Sequence, residues 1–466
     1  MNSHLHRRLT LASSVTGAVA VALDGTVLTV AQPTLQRDLH ATFAQVQWTS
    51  TGYLIAVASL LVFAGRLGDR YGHQQVFAVG ILGFGATSAA IGFAPGIESV
   101  IGLRVAQGVF GALLQPATLG MLRAAYPADR LGMPIALRTS AIGLAAAAGP
   151  VVGGALVTAL GWRAVFFLNV VPALVMGVLA LAVRGPARSR AASGGLDMPG
   201  ACLLAVALVG LVHTLVGIPE AGWTTASTLG LVVVMAAGAA FVRHERRTSS
   251  PLVPYDVLGS ATVGAALGIL VAGSAAMLGS LFVGSYYLQE VLELDPLQTS
   301  LRALPGAVMM VLGAPVAAVL LRRQGARRTT LAGMIALTSG VLLLSRLDRA
   351  STAVSIGGGF LLLGAGFGTV MVTATGVLVR QASAESAGVA GGLQQTAMNV
   401  GPTLGVATAT LLMALGTGVA MGPPLTALAA VSALGVVLAL RLPGPPGSSG
   451  RIRQESINKY GAGDGS

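Results

Sequence analysis

Long apolar runs alternate with short polar stretches over almost the whole chain. A membrane-spanning helix needs about 20 apolar residues. Fourteen runs meet or approach that length, at about 10–31, 48–65, 75–95, 98–122, 135–158, 163–183, 198–217, 224–242, 261–287, 300–321, 329–345, 353–379, 393–415 and 422–441. The pattern predicts an all-α integral membrane protein with fourteen transmembrane helices. An even count puts both termini on one side. With the N-terminus placed in the cytoplasm, 21 of the 28 basic residues fall on that side and five on the other, with Arg104 and Arg138 inside spans. Cytoplasmic loops carry the excess of Lys and Arg, so both termini are expected in the cytoplasm. The apolar run after the basic segment 1–8 is too long for a signal-peptide core and reads as a retained first helix.

Short matches recur at nearly constant offset. Gly149-Pro-Val-Val-Gly153 returns as Gly401-Pro-Thr-Leu-Gly405, Phe110-Gly111 as Phe367-Gly368, and Arg70-Tyr-Gly72 as Arg323-Gln-Gly325. In each case span n pairs with span n+8. The expected organisation is an N-terminal six-helix half (1–184), two inserted helices with flanking loops (185–260), and a C-terminal six-helix half (261–441). A Pro/Gly/Ser-rich tail (442–466) is expected to be disordered and cytoplasmic. Parallel six-helix repeats are a transporter architecture, with the substrate path between the halves.

Composition narrows the picture. The chain is 54% hydrophobic and 9% charged, against about 25% charged in soluble domains, so it could not cover a water-facing surface. The net charge of +12 lies in loop clusters, which points to membrane topology and not to nucleic acid. All but one of the 28 basic residues are Arg, the exception being Lys459; with heavy Ala, Gly and Val usage this suggests a GC-rich bacterial genome and a place in the cell membrane. A single cysteine, Cys202, excludes an intrachain disulfide or thiolate metal site. No paired catalytic groups or metal-ligand spacing occurs in the spans, so neither enzyme activity, cofactor nor metal is expected.

Asp24 is the only carboxylate deep within a long apolar run. A charge at the centre of a membrane helix costs about 2.5–3.5 kcal/mol on insertion scales and marks a functional candidate. Arg104 lies in the fourth run. At 1.5 Å per residue, both residues sit about 9–10 Å below the outer boundary, so they could meet if their helices are neighbours.

Between the second and third runs stands Gly65-Arg-Leu-Gly-Asp-Arg-Tyr-Gly72. Its glycines permit a tight turn and close helix approach, and Asp69 could stabilise the N-terminus of a neighbouring helix. This loop resembles the signature loop of the major facilitator superfamily through Gly65, Asp69, Arg70 and Gly72. It departs after that, with His73, Gln74 and Gln75 at positions that are usually basic, and its second-half copy has Arg322 in place of Asp69. Leu103-Arg-Val-Ala-Gln-Gly108 resembles the family's second motif. Gly149, Pro150, Gly153 and Gly154 resemble the motif of its antiporters. Leu23-Asp-Gly-Thr-Val27, Gly161-Trp-Arg163 with Asn169, and Tyr287-Leu-Gln289 resemble the fourteen-helix drug:proton antiporter branch.

The resemblance implies proton-coupled export of amphipathic drugs or antibiotics by alternating access, with Asp24 and Arg104 coupling the proton and the 65–72 loop acting in the conformational switch. The expected partners are a small-molecule substrate, protons and the lipid bilayer, for a monomer. An uptake symporter of small organic solutes on the same fold is the alternative. Trp48, Tyr53, Gln115, Gln394, Gln395 and Asn399 are candidate cavity residues. Because the second half carries no embedded carboxylate, the expected cargo is a monocation or a neutral compound. Arg138 is expected to snorkel to the cytoplasmic surface, and His213 to pack.

Overall fold

The computed structural model describes residues 3–127, 130–182, 197–221, 224–248, 251–253, 259–294, 296–348, 351–382, 386–415 and 421–444. Among these there is no strand. The helices are α1 (Ser3–Asp38), α2 (Phe43–Tyr71), α3 (His73–Gly92), α4 (Ile97–Ala125), α5 (Gly132–Leu160), α6 (Arg163–Phe167), α7 (Val170–Ala182), α8 (Met198–Ala221), α9 (Thr225–Glu245), α10 (Ala261–Glu290), α11 (Pro296–Ser345), α12 (Ala353–Gln381), α13 (Ala387–Leu415) and α14 (Gly422–Ala439). The tail beyond residue 444 and the side chain of Pro150 lie outside the described residues.

Local chemistry sets the helix ends. Thr42 and Gln45 form a capping box at the start of α2, satisfying two of the backbone N–H groups that a helix start leaves open. Thr224, Ser260 and Thr352 cap α9, α10 and α12 in the same way, each through its hydroxyl. Gly72 (φ 98°), Gly161 (φ 80°) and Gly325 (φ 81°) occupy the left-handed region, which side chains with a Cβ rarely adopt. Gly72 and Gly161 end α2 and α5, and Gly325 kinks α11.

Ten of the described helices are long and apolar enough to cross a membrane, or eleven when the bent α5 is taken as one span. The expected fourteen differs from this in three places. The span α11 comprises two helices that meet at the kink of Gly325, in agreement with two of the expected runs, although together they stand as one among the ten. The apolar part of α8 is short, Met198–Leu211. The helix α13 carries Gln394, Gln395, Thr396 and Asn399, and it is not among the ten.

Two large apolar cores organise the molecule. One is built around Phe77, Phe84, Leu61 and Leu114 of α2–α4, the other around Leu337, Phe360, Leu363 and Leu428 of α10–α14. The pair α8–α9 packs on itself, and its polar end is tied by a cluster: Asp197 Oδ1 meets His244 Nε2 at 2.7 Å, and Glu245 accepts from the backbone N–H groups of Leu252 and Val253. Glycines let the two cores meet. A Cβ on Gly65 would lie 2.2 Å from the carbonyl oxygen of Gly388, and one on Gly391 would lie 3.0 Å from Cα of Pro116. Ser140 of α5 donates to the carbonyl of Val311 on α11 at 2.6 Å.

Candidate functional site

Asp24 and Arg104 come together. Asp24 is 4% exposed and Arg104 1%. Nη1 of Arg104 donates to Asp24 Oδ2 at 2.6 Å. The other carboxylate oxygen accepts from Gln107 Nε2 at 3.2 Å and from Asn169 Nδ2 at 3.4 Å. Gln107 also accepts from Arg104 and donates to Ser88 Oγ at 2.6 Å. Arg104 Nε donates to the carbonyl of Thr49 at 3.0 Å, and the guanidinium lies 4.3 Å from the centroid of the Tyr53 ring. Arg104 therefore turns inward and does not snorkel.

The sequence builds this cluster by simple means. Gln107 stands three residues after Arg104, hence on the same face of α4. Asn169 is placed by the break between α6 and α7, where its N–H closes on the carbonyl of Phe166. A buried charge is tolerated when it is paired and its remaining lone pairs and protons are satisfied, and four helices and the turn between α6 and α7 contribute to that here. Thr49 and Ser88 were not among the sequence candidates. Nothing in their local sequence sets them apart, since their part depends on which helices become neighbours.

The glycines of α5 press against α1 just beyond Asp24. A Cβ on Gly149 would lie 2.0 Å from Thr26 Oγ1, and one on Gly153 2.9 Å from Cγ1 of Val27. Gly154 faces the same helix with more room. The α5 motif is thus in direct contact with the segment that carries the carboxylate.

The loop motif makes a separate arrangement. Asp69 accepts from the backbone N–H of Gly388 at 2.7 Å and of Val389 at 3.1 Å, the open donors of the first turn of α13. His73 Nε2 lies 3.3 Å from the same carboxylate. Arg70 lies against the Tyr71 ring, 5.6 Å from its centroid.

The cavity candidates divide. Tyr53 belongs to the Asp24 cluster, and its hydroxyl is buried without a partner. Gln115 accepts from Arg138 Nη2 at 3.0 Å. Gln394 is fully buried with both amide atoms unpartnered, and Asn399 Nδ2 is also unpartnered. Gln395 is half-buried. Trp48 is 44% exposed and lies beside His213 of α8, with ring centroids 6.4 Å apart. Arg138 does not snorkel: it is 1% exposed. Among the described residues no group of His, Cys, Asp and Glu could hold a metal ion.

A family model described as Major Facilitator Superfamily matches residues 15–406. The tetracenomycin C resistance and export protein of Streptomyces glaucescens is 41% identical over 410 residues, covering 88% of this chain and 76% of that protein. A puromycin resistance protein of Streptomyces alboniger is 32% identical, covering 85% of this chain and 79% of its own length. In architecture the chain is similar to the crystal structure of the human organic anion transporter MFSD10, with a TM-score of 0.66 over 94% of this chain and 100% of that one at 12% identity.

Proposed function

The chain belongs to the Major Facilitator Superfamily, and we propose that it exports an amphipathic, antibiotic-like organic compound from a bacterial cell in exchange for protons. The observation that carries this reading is the buried carboxylate of Asp24, paired with one arginine between α1 and α4. Similar proteins named for antibiotic resistance and export support the direction of transport.

Protonation of Asp24 removes the negative charge that Arg104, Gln107 and Asn169 are arranged to meet. Its bond to Arg104 then loses the attraction of opposite charges and becomes one between a guanidinium and a neutral carboxyl group. The arginine keeps the Thr49 carbonyl and the Tyr53 ring, so α1 and not α4 is the element released. The α5 glycines lie against α1 at Thr26 and Val27, and the opposite face of α5 meets α11 through Ser140. Displacement of α1 can thus reach the contact between the two cores. In this reading the chain crosses the membrane fourteen times with both termini cytoplasmic, and the two six-helix halves rock about that contact. A proton entering down 100 mV supplies about 2.3 kcal/mol.

The test uses inside-out vesicles containing wild type or Asp24→Asn. Addition of a transported compound to the wild type should dissipate an imposed pH gradient, and the variant should not. Equal proton release by the two would overturn the coupling role.

A further inference from the structure

We infer that Arg138 is the recognition point for an acidic group on the exported compound, so that the cargo is an organic anion, carrying a carboxylate or an ionised phenol or enol. This rests on the export reading above.

Charge inside the spans does not balance. Asp24 is taken by Arg104. Arg138, 1% exposed, has no carboxylate partner among the described residues: Nη2 donates to the neutral amide of Gln115, and Nε is buried with no acceptor. Isolated buried charge is strongly disfavoured, and intramembrane ionisable groups mark substrate or ion pathways by default.

The position of Arg138 is specific. It lies on α5 where the two cores meet. Ile135, one turn toward the helix start, packs with Val379 of α12, and Ala136 packs with Ala314, Ala317 and Val372. Thr375 lies between Val372 and Val379, so it shares this depth; it is 1% exposed and its hydroxyl has no partner. On the neighbouring contact, Pro116 beside Gln115 meets Gly391 of α13, and Gln394 follows three residues later with both amide atoms unpartnered.

Four helices, α4 and α5 on one side and α12 and α13 on the other, thus bring polar side chains together. Native interiors leave few buried polar atoms unpaired, so a group of them at the interface of the moving parts fits a ligand site closed in its empty state. Their donors predominate. Arg138 can present its fork to a carboxylate, which neither Lys nor Gln reproduces, and Gln394 and Thr375 can add hydrogen bonds. A monocation would meet an uncompensated guanidinium, so the monocation or neutral compound expected from sequence gives way to an anion.

The experiment uses purified full-length protein with carboxyfluorescein as the anionic probe and rhodamine 6G as the cationic one. Binding is read by fluorescence anisotropy and export in inside-out vesicles. Wild type should bind carboxyfluorescein more tightly than rhodamine 6G. Arg138→Gln should weaken carboxyfluorescein at least about tenfold, the scale of a lost hydrogen bond to a charged group, leaving rhodamine 6G unchanged or improved. Arg138→Lys should fall between. Arg138→Met should unfold at a higher temperature than wild type, because it removes an unpaired buried charge; a purely structural arginine would show the opposite. Equal loss of both probes in Arg138→Gln, or preference of the wild type for the cation, would overturn the proposal. Selective anion binding without proton-driven transport would leave it standing and refute the export reading instead.

Discussion

At the scale of single residues, the contacts of Asp24 separate charge from packing. Asp24→Asn keeps an oxygen for Gln107 and Asn169 and loses the ion pair. Asp24→Leu leaves Arg104 uncompensated and in addition removes every acceptor that Arg104, Gln107 and Asn169 use there, which costs about 3–5 kcal/mol. The first variant is expected in the membrane at near wild-type level and inactive in proton exchange. The second should be markedly less stable in a thermal unfolding assay of the detergent-purified protein. Tyr53 divides differently. Its hydroxyl is buried without a partner, while its ring supports the Arg104 guanidinium. Tyr53→Phe should change stability by less than about 1 kcal/mol, and Tyr53→Ala should cost about 3–5 kcal/mol. Similar unfolding temperatures for these two variants would contradict the stacking role. Asp24 and Arg104 were legible in the sequence because charge is rare in an apolar run. Arg138 was equally visible but misread: nearness to a helix end says nothing about whether the side chain turns outward along the lipid or inward to Gln115.

At the scale of elements, the glycine faces decide which helices touch. Replacement of Gly149 by Val should drive its side chain into Thr26, and overpacking of this kind costs about 1–3 kcal/mol. Because the displaced residue follows Asp24 by only two positions, the loss of transport should exceed the loss of stability, measured as export per molecule of folded protein. The Asp69 cap on α13 makes a second prediction. Removing a helix cap costs about 0.5–2 kcal/mol. Asp69→Ala should therefore shift the molecule toward the conformation in which α2 and α13 part, and a cysteine introduced at Gln395 should react faster with a thiol reagent. An unchanged rate would show that the cap does not hold the closed form. The expectation that Asp69 would serve a neighbouring helix came from its charge beside a glycine turn. That the helix is α13, 319 positions away from it in sequence, could not be read from local sequence, because only the packing of two distant segments creates that contact.

At the scale of the whole molecule, hydropathy made the all-α, multi-pass architecture readable, since lipid leaves a chain few other ways to satisfy its backbone. Counting spans was harder. Hydropathy treats the charged turn near Gly325 as a break, and the backbone does leave helical geometry there, while the polar face of α13 and the short apolar part of α8 hide two further runs from a count by apolar length. Gly72 and Gly325, matched in the sequence repeat, both adopt positive φ, which suits a common turn in two related halves. If the proposed topology holds, reporter domains active only in the cytoplasm should work when fused to either terminus. Activity at one terminus alone would require an odd number of crossings.

The carboxylate of Asp69 has no counterpart in the second half, where Arg322 stands exposed. The molecule is therefore fastened by an acidic cap at one loop and not at both. If the chain is the exporter proposed above, such a fastening would give it a preferred idle posture, shut toward the compartment that holds its termini. Between cargoes it would then leak little: the cell's proton store would not drain through an unoccupied carrier, and compounds already expelled would find no open way back.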